Sequence, residues 1–421
     1  MIKTITLKSG LRVVTIPQRA TKTVTVLVLV GTGSKYETKE QNGISHFLEH
    51  MFFKGTEKRV KPIDVVEPLD RIGGSYNAFT SEDYTGYYAK VDSSHFDLAF
   101  EWVADIFLNS TLPAKEIQKE KSVITEELHM HKDNPMWYVD VLWEKLLYGD
   151  QPAGWEVVGT RETIAAMARK NLLRYRKNQY VASNTVVCIA GNVRAPEVMA
   201  KVQKLFAGIP TREFQRKVPI VEAQKKPEIL LEYRKTDQSH IALGVRGYNL
   251  QDPRRYAQYT LATLLGGMMS SRLWVAIREK NGLAYYVSTA TDCNPDTGYV
   301  VTSAGVKDEN VERAVRIILQ EYAKVKKYPV SKDELQKAKD HQKGKMALQL
   351  ENSDAKAHFY GMQELLQGNI LTQEEICAKI DKVDSKDIQE IAQDMFRPAK
   401  LNLVVLGPSR NKAQFTNLLQ I

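Results

Sequence analysis

YTGYYAKV (Tyr84–Val91), followed by the amphipathic FDLAFEWVADIFL (Phe96–Leu108), has a counterpart far downstream in DTGYVVTSAGV (Asp296–Val306) followed by NVERAVRIILQEY (Asn310–Tyr322). Both copies pass from strand-like alternation to a helical apolar period. The likeness continues outward in the same order. LPAKEIQKEKSVITEEL pairs with VSKDELQKAKDHQKGKM as a helix, and MWYVDVLWEKLLYGD with AKAHFYGMQELLQGN as an aromatic-bearing helix ending at a glycine turn. TRETIAAM and TQEEICAKI each open on a threonine N-cap signal, and NTVVCIAGN and KLNLVVLGP close each copy with an apolar strand. Gly86 and Gly298 are 212 positions apart, and Gly191 and Gly407 are 216 apart. An ordered repeat of this length predicts two homologous α+β domains, each a mainly antiparallel sheet packed by helices. The proline-bearing, non-periodic connector TREFQRKVPIVEAQKKPE sets the expected boundaries: an N-terminal domain over 1–212, a linker over 213–227 and a C-terminal domain over 228–421.

The 421 residues carry a net charge of +9, and part of that excess sits in the connector, where Arg212, Arg216, Lys217, Lys225 and Lys226 face only Glu213 and Glu222. No aromatic-interleaved basic stripe or nucleic-acid-binding signature accompanies it, so no nucleic-acid partner is expected. The most apolar run, Val26–Val30, is far too short to span a bilayer, and MIKTITLKSGLRVV lacks the apolar core of a secretory signal. Cys188, Cys293 and Cys377 are odd in number and never form a CxxC pair, so they read as reduced thiols. A cytoplasmic chain without membrane association is the expectation.

The chemistry concentrates in NGISHFLEHMFFKGT (Asn42–Thr56). His46 and His50 are four apart, so on a helix both imidazoles leave one face, about one 5.4 Å turn from each other. Two such nitrogens reach one zinc ion, and Glu49 shares the face as a base for the metal's water; H-x-x-E-H is the inverzincin order. Asn42 and Ser45 offer capping oxygens, while Ile44, Phe47, Leu48 and Met51 supply a buried stripe. A catalytic zinc takes a third protein ligand. The acid-rich segment after Ala114 holds the candidates Glu116, Glu120, Glu126, Glu127, His129 and His131. Periodicity places Glu120 and Glu127 on one face without choosing among the six.

HFLEHMFFKGT, GGSYNAFTSEDYTGYYAKV, EKSVITEEL and SSRLWVAIREKNGLAYYV together resemble the pitrilysin-type metallopeptidases, and among them the chains typified by mitochondrial processing peptidase and its bacterial relatives. The resemblance covers nearly the whole chain. It implies a half-clamshell built from the two domains, one zinc ion per subunit, and Glu127 as the third ligand beside His46 and His50. Glu120, one heptad earlier, then orients the site, and Glu49 is the general base that activates the zinc-held water. It further implies an exposed edge strand at Asn77, Ala78 and Phe79 to which extended peptide adds. Arg278 and Tyr285 match the family's substrate-contacting pair, with Tyr286 as the alternative to the latter. The implied activity is a metalloendopeptidase acting on unstructured oligopeptides. The implied assembly is a homodimer whose sites are completed in trans, or a heterodimer with a related chain. The alternative is a non-catalytic scaffold or peptide-binding subunit of the same fold.

Overall fold

The computed structural model describes residues 2–421. Its first sheet comprises β1 (Lys3–Thr6), β2 (Arg12–Pro17), β3 (Thr23–Val30), β4 (Ser75–Thr80), β5 (Thr85–Asp92) and β6 (Thr185–Gly191), in the order β1-β2-β6-β3-β5-β4. The second comprises β7 (Glu228–Tyr233), β8 (Ser239–Arg246), β9 (Ala284–Cys293), β10 (Gly298–Val306) and β11 (Leu401–Gly407), in the order β7-β11-β8-β10-β9. Apart from β1, the two orders correspond strand for strand. In each sheet one parallel pair, β2 with β6 and β7 with β11, joins otherwise antiparallel strands. The repeated Thr-Gly-Tyr segment lies at β5 in one sheet and β10 in the other, so the α+β duplication expected from the sequence is what the chain forms.

Packing divides the chain differently from the connector at 213–227. One compact unit holds the chain up to His129, Trp155–Val218 and Leu348–Leu371; the other holds Met130–Gly154, Pro219–Ala347 and Thr372–Ile421. The reason is an exchange of one helix in each direction. Helix Ser353–Gln367 of the second repeat packs on β2, β3 and β6, and helix Pro135–Tyr148 of the first packs on β8 and β11. Sequence similarity marks the repeats, whereas apolar burial sets the units.

Within the first unit, alternation along β3 serves two cores. Val24, Val26, Val28 and Val30 enter the one that contains Phe47, Leu48, Phe100 and Trp102. Leu27 and Leu29 enter the other, with Cys188, Ala357 and Tyr360. A strand buried on both faces needs the continuous apolar run seen in TVTVLVLV. Gly361 lets the exchanged helix approach closely: a Cβ there would lie 2.9 Å from Leu29 Cδ1 and 3.2 Å from Cys188 Cβ. β4 ends the sheet as an unpaired edge beyond β5. The three cysteines are free, and no helix among the described residues is long and apolar enough to cross a membrane.

Candidate metal centre

Helix Ile44–Met51 carries the H-x-x-E-H sequence and buries Ile44, Phe47, Leu48 and Met51, as the apolar stripe predicts. Its N-terminus departs from expectation, because neither Asn42 nor Ser45 caps it with a side-chain oxygen. Gly43 starts the helix at φ +91°, where a Cβ would meet the Val158 carbonyl oxygen at 2.5 Å. The buried Glu37 supplies the cap instead, accepting from Gly43 N–H at 2.7 Å, Ser45 N–H at 2.8 Å and the Asn42 amide at 3.1 Å. Three donors converge on one carboxyl group, so orphan N–H groups of the first turn are met there. The Ser45 hydroxyl lies 2.7 Å from Tyr175 Oη, which also meets Thr32 Oγ1 at 2.7 Å.

The two imidazoles lie on one helix face with ring centroids 4.7 Å apart. Helix Ala114–Asp133 brings Glu127 against both: His46 Nε2 is 3.5 Å from Oε1 and His50 Nε2 is 3.3 Å from Oε2. One ligand atom from each of the three residues falls within a 4.8 Å set. Donors about 2.0–2.1 Å from a tetrahedral zinc stand about 3.3–3.5 Å from one another, so this spacing fits such an ion. Glu116, Glu126, His129 and His131 are not part of the cluster; Glu126 faces His129 at 3.7 Å.

A surrounding layer holds these three side chains in place. Glu120 Oε2 lies 3.1 Å from His50 Nδ1, and its other oxygen is 2.8 Å from Lys54 Nζ. Burial opposes charge on His50, yet the hydrogen bonds to Glu120 and Glu127 outweigh it and push the imidazole up to about 9. The same hydrogen bonds from His46 and His50 hold the Glu127 carboxyl well below its usual range. For Glu49, burial raises the carboxyl above its ordinary value, while His46 and a hydrogen bond from Thr80 pull the other way. That bond, Thr80 Oγ1 to Glu49 Oε2, is 2.5 Å long. Glu37 and Thr80 went unmarked by motif spacing because each acts from outside the motif helix, and Lys54, just beyond that helix, because its partner Glu120 lies on another one.

Strand β4 passes beside this cluster. Ala78 points into the core that holds the motif helix, whereas Phe79 packs on the opposite face, its ring across Gly86 and 5.0 Å from the His358 ring. Asn77 is exposed, and its Oδ1 accepts the Ala78 N–H at 2.9 Å.

Residues 12–160 match the model of the insulinase family, peptidase family M16, and residues 166–341 match that of the peptidase M16 inactive domain. An uncharacterized zinc protease of Bacillus subtilis is 35% identical over 98% of this chain and 99% of its own length. One of Streptomyces coelicolor is 33% identical over 98% of this chain and 90% of its own. The chain belongs to peptidase family M16. Among solved structures, a protease from Helicobacter pylori superposes with a TM-score of 0.90 at 24% identity, over 97% of this chain and 99% of its own. Complex III2 from Candida albicans gives 0.87 at 20% identity, covering both chains fully. Both share the M16 fold.

The remaining residues singled out by the M16 resemblance lie in the second unit. Arg278 sits in the π-helical turn Trp274–Glu279, its guanidinium carbon 4.5 Å from the Trp274 ring centroid and 5.1 Å from that of Tyr285. Its Nη1 donates to the Tyr285 carbonyl at 2.6 Å. Gly282, at φ +59°, ends the turn before Tyr285, which is the second residue of the edge strand β9 and is 78% exposed. Tyr286 is engaged elsewhere, its hydroxyl 2.8 Å from His240 Nδ1 and its ring against Gly305.

Proposed function

We propose that this chain is a zinc-dependent endopeptidase of unstructured oligopeptides. The observation that carries the reading is the convergence of His46, His50 and Glu127 with Glu49 on the same helix face. His46, His50 and Glu127 would hold one zinc ion per chain, which when bound supplies Lewis-acid polarisation of water and the scissile carbonyl. Glu49 accepts the proton of the attacking water and returns it to the departing amine. Its burial favours the first half of that exchange, since a carboxyl raised above its ordinary value takes a proton more readily.

Edge strand β4 offers the peptide its main-chain partners. A substrate carbonyl would replace the Asn77 side chain at Ala78 N–H, which restricts substrates to extended segments. Arg278 and the exposed Tyr285 supply a donor face for the developing oxyanion. One chain holds both motif sets, so two copies related by a twofold axis would complete two equivalent sites in trans. The free cysteines fit a reducing compartment, which favours the cytoplasm.

A scaffold role of the same fold makes no use of a half-buried base beside a metal ligand set. A peptide-library digest with and without chelator, read by mass spectrometry, tests the reading together with Glu49→Gln. Cleavage that vanishes with chelator and falls about 10²–10⁴-fold in the variant, at undiminished zinc content, is the expected result. A variant as active as the parent would remove Glu49 as the base.

A further inference from the structure

Thr80 makes the shortest contact to Glu49, a hydroxyl-to-carboxylate bond of 2.5 Å. That length belongs to the charge-assisted class, in which the carboxylate is the acceptor. Three features make the hydroxyl a fixed donor. Threonine is restricted at χ1, so its Oγ1 has few directions open to it once the backbone is set. The backbone is held as the last residue of β4, paired with Thr85. The loop that follows is pinned too: Ser34 N–H donates to the Ser81 carbonyl at 3.3 Å and Lys35 N–H to that of Glu82 at 2.9 Å. Beneath it the buried Asp83 pairs with Lys35 at 2.8 Å and with Lys217. A Cβ at Gly33 would stand 2.0 Å from the Ser81 oxygen, so the loop lies directly on the neighbouring backbone.

We infer that Thr80 is a positioning residue for the general base, and that it ties the base to the peptide-binding edge. It engages Oε2 of Glu49 and leaves Oε1 to exchange the proton. Its own backbone ends the strand on which the peptide is aligned, so one rigid element sets both the substrate lane and the orientation of the base. This inference rests on the functional reading above, and the test keeps the two apart.

The full chain, zinc-loaded, is compared with Thr80→Val and Thr80→Ser. Misplacing a reacting group by about 1 Å costs up to about 100-fold. Thr80→Val is therefore expected to lower kcat about 10- to 100-fold, with KM and chelator-measured zinc affinity near the parent's. Thr80→Ser should recover most of kcat. A kcat undiminished in Thr80→Val, a loss that tracks loss of zinc, or a serine variant as slow as the valine one would each overturn the inference. If the zinc-loaded parent cleaves no peptide, the functional reading fails, and crystal structures of the variants still decide the positioning. The Glu49 carboxylate should shift in Thr80→Val and stay in Thr80→Ser; an unmoved carboxylate in the valine variant overturns it.

Discussion

Glu120 Oε2 lies 3.1 Å from His50 Nδ1, while His50 Nε2 faces Glu127 at 3.3 Å. The acid on one side of the ring fixes which nitrogen is free on the other, and Lys54 at 2.8 Å keeps that acid ionised and in place. Glu120→Gln is expected to weaken zinc binding about 10- to 100-fold in a chelator competition. Undiminished affinity would mean that His50 needs no such orientation.

Charge on His50 sets a pH dependence. Without metal its imidazole is pushed up to about 9 from an ordinary 6.5, so the folded value is the higher one. The stability this lends the metal-free chain is fully present below pH 6.5 and is lost as pH rises through 9. Zinc takes only a neutral imidazole, so binding near neutral pH must expel that proton. Calorimetry in buffers of different ionisation enthalpy should show close to one proton released per zinc, and affinity should climb with pH up to about 9. Heats independent of the buffer would contradict it.

Glu37 anchors the start of the motif helix through Gly43, Ser45 and Asn42. Removing it strands two buried N–H groups. Urea unfolding of Glu37→Ala should show a loss of about 2–4 kcal/mol relative to the parent. A change within experimental error would place the helix's stability in its apolar face alone.

Pairing of substrate with β4 has a signature in the peptide itself. In an antiparallel pair only alternate residues bond across to a given neighbour. Methylating backbone amides of a cleaved peptide one at a time should therefore give two classes. One class loses about tenfold in kcat/KM per lost hydrogen bond, and the other is spared by comparison. Equal losses at all positions would argue against main-chain pairing at this edge.

The duplicated fold was legible because a repeat some 212 to 216 residues long leaves its mark at every element, strand and helix alike. The helical spacing of His46, Glu49 and His50 was legible for the same reason: it is local. Periodicity left Glu127 as one of six candidates, because nothing in a helix of twenty residues says which turn will face a second helix; only the family resemblance singled it out. Thr80 and Glu37 stayed hidden, since their roles depend on tertiary approach. The Glu37 carboxylate is five positions before Asn42, with its cap made across a turn instead of by the usual Ser or Asn. The helix exchange was hidden too, because Ser353–Gln367 and Pro135–Tyr148 look like members of their own repeats and differ only in which sheet buries them.

The proposed function requires one divalent ion among His46, His50 and Glu127. Anomalous diffraction at the zinc edge from crystals of the zinc-loaded chain tests it without reference to any substrate. A single peak bonded to His46 Nε2, His50 Nε2 and a Glu127 oxygen, at about 2.0–2.2 Å from each, is the result this account predicts. Zinc found elsewhere, or bound without Glu127, would contradict it.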